Sequence, residues 1–448
     1  MKRHLRPYLC LLLVSTFLWG CQKDDVETVV NNPVSNYDAS IAEAYFNHAL
    51  KMTKETPGYS PPVAARAFGY TGLTLYESVV HGMPGYRSMA GVVNGLNPGM
   101  LALPQQGVPY HWALVANNAM AGFMKKMYSS ASTEDLDRIE TMRNQYNMQY
   151  IATVTQETYD RSVSFGNTIA DQMYAYAASD GQELCYQSNF PSSYSPPTGP
   201  GMWVPTPPAY QNALQPYWGS VRTFVTANVT GTQPPPPIPY STSTTSLFYS
   251  EALEVYSVTQ SLTAEQEIIA HFWSDDPGKT ATPPGHSISV ATQVLKNENA
   301  HLAKAAEVYA KVGMAVHDAF VSCWKCKFDM NVLRPVTYIR ENIDPNWDCL
   351  LITPPFPEFT SGHSSQTGAV SRVLSDIFGY NYSFTDYTHV NRTDIDGSPR
   401  HFSSFNDMAD EAAISRLYGG IHYREAIEVG ITQGQMIGEN ISKLPFRN

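Results

Sequence analysis

Residues 302–335 read LAKAAEVYAKVGMAVHDAFVSCWKCKFDMNVLRP, and this stretch decides the fold class. Leu302, Ala305, Ala306, Tyr309, Val312, Val316, Ala319 and Phe320 recur at steps of three and four. That spacing draws one buried face along a long helix. The helix delivers two basic residues, Lys327 and Arg334, toward its end.

The same periodicity appears N-terminal to it. Helical patterns run over about 61–81, 108–128 and 132–178, the last long enough to require a break. Ser40-Ile41-Ala42-Glu43 has the form of a capping box and opens a face of Ile41, Ala44, Tyr45, His48 and Met52. No segment sustains the alternation of a strand, so an all-α fold is expected. One stretch departs from the pattern. Residues 186–245 are rich in Pro, Tyr and Ser, but Trp203, Tyr210, Tyr217, Trp218 and Phe224 give this connection the aromatic anchors a free linker lacks. It is predicted to wrap over the helices between an N-terminal helical half, 37–185, and a C-terminal one, 246–448.

The first twenty residues have basic Lys2, Arg3 and Arg6, an apolar run from Leu9 to Trp19, and the ending Leu18-Trp19-Gly20-Cys21. This pattern reads as an export signal over 1–20, and its ending resembles a bacterial lipobox. The resemblance implies cleavage before Cys21, lipid on its thiol, a solvated tether over 21–36, and attachment to a bacterial cell-envelope membrane. No later run reaches the roughly 18 apolar residues of a membrane-spanning helix.

The composition, 43% hydrophobic with 28 tyrosines and only 15% charged residues, suits a packed globular body rather than a disordered chain. Loss of the three basic signal residues takes the net charge from -11 to -14, which disfavours nucleic acid as a partner. Cys185, Cys323, Cys326 and Cys349 remain for a compartment where disulfides persist, with three pairings open. The Cys323-x-x-Cys326 pair lacks the second half of a zinc site.

Three segments carry residue types suited to gripping an oxyanion. In the first, Lys327 offers a compact charge and Arg334 a planar fork of donors. In the second, Phe356-Pro357-Glu358-Phe359-Thr360-Ser361-Gly362-His363 precedes an amphipathic helix that Gly379 stops. The helix N-terminus attracts an anion, Gly362 permits close backbone approach, Ser361 adds a hydroxyl and His363 can move a proton. In the third, Ser415-Arg416-Leu417-Tyr418-Gly419-Gly420-Ile421-His422, a helix runs into Tyr418 and a new one is expected near His422. Arg416 and His422 can then face one pocket across the Gly-Gly break. The imidazole of His422 suits either ligation or nucleophilic attack.

In this order the segments resemble the signature Lys-x6-Arg-Pro, Pro-Ser-Gly-His and Ser-Arg-x5-His. That signature belongs to the superfamily joining vanadium-dependent haloperoxidases to type-2 phosphatidic acid phosphatases and bacterial acid phosphatases. The resemblance implies an all-α bundle in which Lys327, Arg334, Ser361, Gly362 and Arg416 hold the oxygens of vanadate or phosphate. His422 would bind the central atom, vanadium in the first case, and His363 would serve as acid and base. Phe272-Trp273-Ser274-Asp275-Asp276, Thr282-Pro283-Pro284, Asp318-Ala319 and Trp324-Lys325-Cys326-Lys327 look like the matching stretches of the chloroperoxidase branch. On that likeness Asp276, or Asp275 in its place, would sit beside Lys327, and Phe356 implies chloride or bromide as the halide.

Two positions depart from the pattern. Thr360 stands where the signature has Pro, a mild change if it caps the helix. The Asp commonly found four residues after the ligand His is Ala426 here, which leaves Glu425 and Glu428 as the nearest acids able to orient His422. The remaining histidines, His286 and His389 among them, show no ligand spacing and read as core or surface polar groups. The leading expectation is therefore an enzyme that uses hydrogen peroxide to oxidise halide at a His-bound vanadate. A phosphomonoesterase working through a phosphohistidine, and a lipid-tethered protein that only binds oxyanions, use the same residues.

Overall fold

The computed structural model describes residues 32–448; the expected signal over 1–20 and the expected lipid attachment at Cys21 lie outside them. Fourteen α-helices form among the described residues. The N-terminal half contains α1 (Ser40–Glu55), α2 (Pro61–Val79), α3 (Trp112–Met127), α4 (Thr133–Ile151) and α5 (Gln156–Ala178). A one-turn helix, α6 (Ala227–Thr230), and 3-10 turns at Cys185–Gln187 and Trp218–Ser220 punctuate the irregular connection. The C-terminal half contains α7 (Leu247–Thr259), α8 (Ala264–Phe272), α9 (Thr282–Asn297) and α10 (Leu302–Met330). It continues with α11 (Pro335–Asn342), α12 (Gly362–Phe378), α13 (Phe405–Tyr418) and α14 (Arg424–Ser442). A small antiparallel hairpin, β1 (Phe384–Asp386) with β2 (Arg400–Phe402), pairs Thr385 with His401. No described helix is long and apolar enough to cross a membrane.

The predicted long helix is α10, and its apolar face from Leu302 to Phe320 is buried. It lies along α2 at backbone distance: a Cβ at Gly72 would overlap the Tyr309 carbonyl, and glycine supplies the room. The long pattern over 132–178 breaks at Ala152–Thr155, where Thr155 caps α5 by accepting from the Thr158 N–H. The capping box expected at Ser40 does not form. Ala39 precedes α1 without a side-chain cap, and the Asp38 carboxylate accepts from the Ser40 N–H instead. A capping box does form at Thr263 and Gln266, where both reciprocal bonds are present.

The irregular connection crosses the helices through peptide hydrogen bonds. The N–H groups of Trp203 and Leu214 donate to the carbonyls of Asn331 and Pro355, and Trp203, Trp218 and Phe224 are buried. Asp318, in the middle of α10, accepts from the N–H groups of Phe224 and Val225 and from Asn228 Nδ2. Burial pushes that carboxyl up to about 7, against these three donors. The four described cysteines are free thiols.

Candidate active site

Each basic residue is aimed by local chain geometry. Asn331 ends α10 in the left-handed conformation, φ 50°, which Asn tolerates well. Pro335 then holds Arg334 extended and starts α11. Lys327, in the last turn of α10, and Arg334, just past it, therefore meet over one aromatic ring. Lys327 Nζ and Arg334 Cζ each lie 5.0 Å from the Phe356 ring centroid. Lys327 Nζ donates to the carbonyls of Pro357 and Glu358, each at 2.9 Å, leaving the third ammonium proton free. Burial brings its pKa down to about 8.

Ser361 caps α12 by accepting from the Ser364 N–H, so Gly362 and His363 open the helix. The cap is thus Ser361 and not Thr360, whose hydroxyl donates to Gln433 Oε1 at 2.7 Å. The close approach of α12 and α14 sets this end of the bundle. A Cβ at Gly434 would overlap the Ser365 carbonyl, so only glycine fits there. Gly420, at φ +76°, turns the chain after α13 and delivers His422, which lies in the loop two residues before α14.

His422 has a defined tautomer. Arg334 Nη1 lies 3.2 Å from His422 Nε2, and a guanidinium can only donate, so Nε2 carries a lone pair and the proton sits on Nδ1. That proton is donated to Glu358 Oε1 at 2.7 Å, and the same oxygen accepts from the Tyr423 N–H at 3.0 Å. The support expected from Glu425 or Glu428 is therefore supplied by Glu358, within the anion loop itself. Glu425 instead accepts from the Ile238 N–H, and Glu428 pairs with Arg424. Burial, then Arg334, Lys327 and Arg416, hold His422 well below the ordinary histidine range, so its imidazole is neutral. Burial pushes the Glu358 carboxyl up to about 8 against the pull of Arg334 and Lys327.

Arg416 Nη2 donates to the Ala270 carbonyl at 3.1 Å and Nε to Ser415 Oγ at 3.0 Å. Burial lowers its pKa to about 10, opposed by Asp275 and Asp276. Burial and then Arg416 hold His363 well below its usual range. The expected pairing of Asp276 or Asp275 with Lys327 is absent from the hydrogen bonds that Lys327 makes. Asp276 is exposed, and Asp275 is drawn to His286 Nδ1 at 2.9 Å. His286 and His389, read from sequence as bland, are buried beside Asp275, because α9 and the chain after β1 converge there. Burial opposes charge on His286, yet Asp275 and Asp386 together carry its pKa up to about 10.

The residues fit an oxyanion. Arg334 Nη2, His363 Nε2 and Ser364 Oγ are sealed from solvent without a hydrogen-bond partner, a cost of about 1–3 kcal/mol each that a bound anion would relieve. Around them Lys327, Arg334 and Arg416 are all buried. His422, Arg334, Lys327, Ser361, Gly362 and Arg416 would hold vanadate or phosphate, the group that this donor set suits.

Residues 307–446, which contain the whole cage, match the family model of the VCPO second helical-bundle domain. The chain is 22% identical over 487 aligned positions to vanadium chloroperoxidase of Curvularia inaequalis, covering 85% of this chain and 78% of that protein. Its fold matches the crystal structure of a holo-type bacterial vanadium-dependent chloroperoxidase at 16% identity, with TM-score 0.67 over 88% of this chain and 93% of that one. The structure described as the first bacterial vanadium-dependent iodoperoxidase superposes with TM-score 0.79 at 36% identity, over 91% of this chain and 96% of that one. With that identity sustained along nearly both full lengths, the chain belongs to the vanadium-dependent haloperoxidase family.

Proposed function

We propose that this protein oxidises a halide with hydrogen peroxide in the cage around His422, and that iodide is the halide it handles best. The observation that carries the reading is the His422 tautomer: Glu358 holds Nδ1–H, which leaves Nε2 as the ligand atom facing the buried cations. Vanadate, when bound, would supply the Lewis-acid centre that activates peroxide. In the net reaction the halide gives two electrons to the O–O bond, one proton is consumed, and hypohalous acid and water leave. Lys327, Arg334 and Arg416 offset the anion's charge, Ser361 and the Gly362 backbone add neutral donors, and His363 carries the proton. The preference for iodide rests on the 36% identical iodoperoxidase; Phe356 alone fits chloride or bromide equally.

The test is to load purified protein with orthovanadate and compare peroxide-dependent oxidation of iodide, bromide and chloride. Vanadate-free protein is assayed in parallel for phosphate-ester hydrolysis. Hydrolysis without halide oxidation would favour the phosphohistidine route through His422, and inactivity in both assays with normal anion binding would favour the binding-only reading. We also propose, from the Leu18–Cys21 pattern, that the enzyme is exported and held at a cell-envelope membrane by lipid on Cys21. Cys21→Ser should then move it from the membrane to the soluble fraction.

A further inference from the structure

Beside the cage lies a second constellation that the proposed reaction leaves unused. Asp275 follows α8, His286 lies in the first turns of α9, and His389 follows β1. One ligand atom from each falls within 4.8 Å of the others, and all three side chains are buried. His389 Nε2 and Asp275 Oδ1 face each other at 3.4 Å, yet both are buried atoms without a hydrogen-bond partner. Donors bound at about 2.1 Å to one tetrahedral ion stand about 3.4 Å apart.

The surroundings are those of a metal-ligating histidine. His286 Nδ1 faces Asp275 Oδ2 at 2.9 Å, while Nε2 faces Asp386 Oδ2 at 2.7 Å. Asp386 is itself fixed, its Oδ1 accepting from the Thr388 N–H at 2.8 Å and from Gln293 Nε2 at 3.1 Å. A carboxylate that orients the far nitrogen of a ligand histidine is the usual outer support of a bound metal. Trp273 stacks on the His286 ring at 4.4 Å and keeps the site dry.

Charge argues the same way. Two buried carboxylates require two positive charges, and an imidazolium between them supplies one. Arg416 contributes its field, but its hydrogen bonds go to Ala270 and Ser415. A divalent ion in place of the Nδ1 proton would balance both carboxylates and engage the unpartnered Asp275 Oδ1 and His389 Nε2. We propose that Asp275, His286 and His389 bind a divalent first-row transition ion of the zinc class, with Asp386 positioning His286. The nitrogen-rich donor set disfavours calcium and magnesium, which take oxygen ligands.

The full chain, stripped with chelator, is loaded with zinc, desalted and analysed for metal by mass spectrometry. About one zinc per chain is expected, with a thermal midpoint that rises with zinc concentration. His389→Ala and Asp275→Asn should retain less than about 0.1 zinc and lose the midpoint shift. His422→Ala should retain the zinc, which separates this site from the cage. Cobalt(II) provides a test on the unaltered chain, since ligation by imidazole and carboxylate gives intense visible d–d bands that zinc abolishes. Zinc retention below about 0.1 per chain together with no cobalt bands overturns the proposal, and so does unchanged zinc in folded His389→Ala.

Discussion

Glu358 and His422, 64 residues apart, meet through a 2.7 Å hydrogen bond that fixes which nitrogen of His422 faces the cations. The loop proposed to grip the oxygens thus also orients His422. Glu358→Ala, which strands the Nδ1–H, should weaken vanadate binding roughly 10- to 100-fold. Glu358→Gln, whose amide oxygen can still accept, should lose less, and a vanadate titration of both variants distinguishes them.

Lys327 sets a pH limit. Burial lowers its pKa to about 8, so the ammonium is present below that pH and is lost above it. Anion affinity should therefore fall above pH 8, by at most about tenfold per unit from this group. Vanadate also titrates, so the measurement is the difference between wild type and Lys327→Met, which should shrink as pH rises from 7 to 10.

The Gly434 contact carries the alignment of α12 with α14. Gly434→Ala forces a methyl into the Ser365 carbonyl, and overpacking of this kind costs about 1–3 kcal/mol. Because Ser361 and His363 lie within one turn of Ser365, vanadate affinity should drop along with the denaturation midpoint.

In the N-terminal half, Arg66 and Asp180 form a buried two-point pair, Nε to Oδ2 at 2.7 Å and Nη2 to Oδ1 at 3.0 Å. Asp180→Ala leaves the guanidinium buried without its partner and should lower stability by about 3–5 kcal/mol in urea unfolding. Halide oxidation per folded molecule should be unchanged.

The placement of Arg334, Ser361 and His422 is legible because local sequence signals mark the helix ends beside them: Pro335 after Arg334, Ser361 before α12, and Gly419-Gly420 after α13. What stands behind them is not. The sequence points to Glu425 or Glu428, beside Ala426, as the support for His422, whereas the carboxyl that accepts from its Nδ1–H is Glu358, in a different loop. Asp275, His286 and His389 likewise carry no shared spacing, since tertiary convergence of α8, α9 and the hairpin brings them together. Sequence periodicity reports what a helix does along its own axis and is silent on which loops meet at its ends.

The carboxylate of Asp318 has a consequence for dynamics. It holds the peptide N–H groups of Phe224 and Val225, in a stretch with no strand and only short helical turns. Amide exchange should therefore be slow at those two positions, approaching the rates of the α10 backbone, while peptides of 186–245 whose N–H groups face solvent exchange quickly. Within a segment that looks like loose connection by its composition, these two peptides would thus open only when the central helix does, and would report the unfolding of the core.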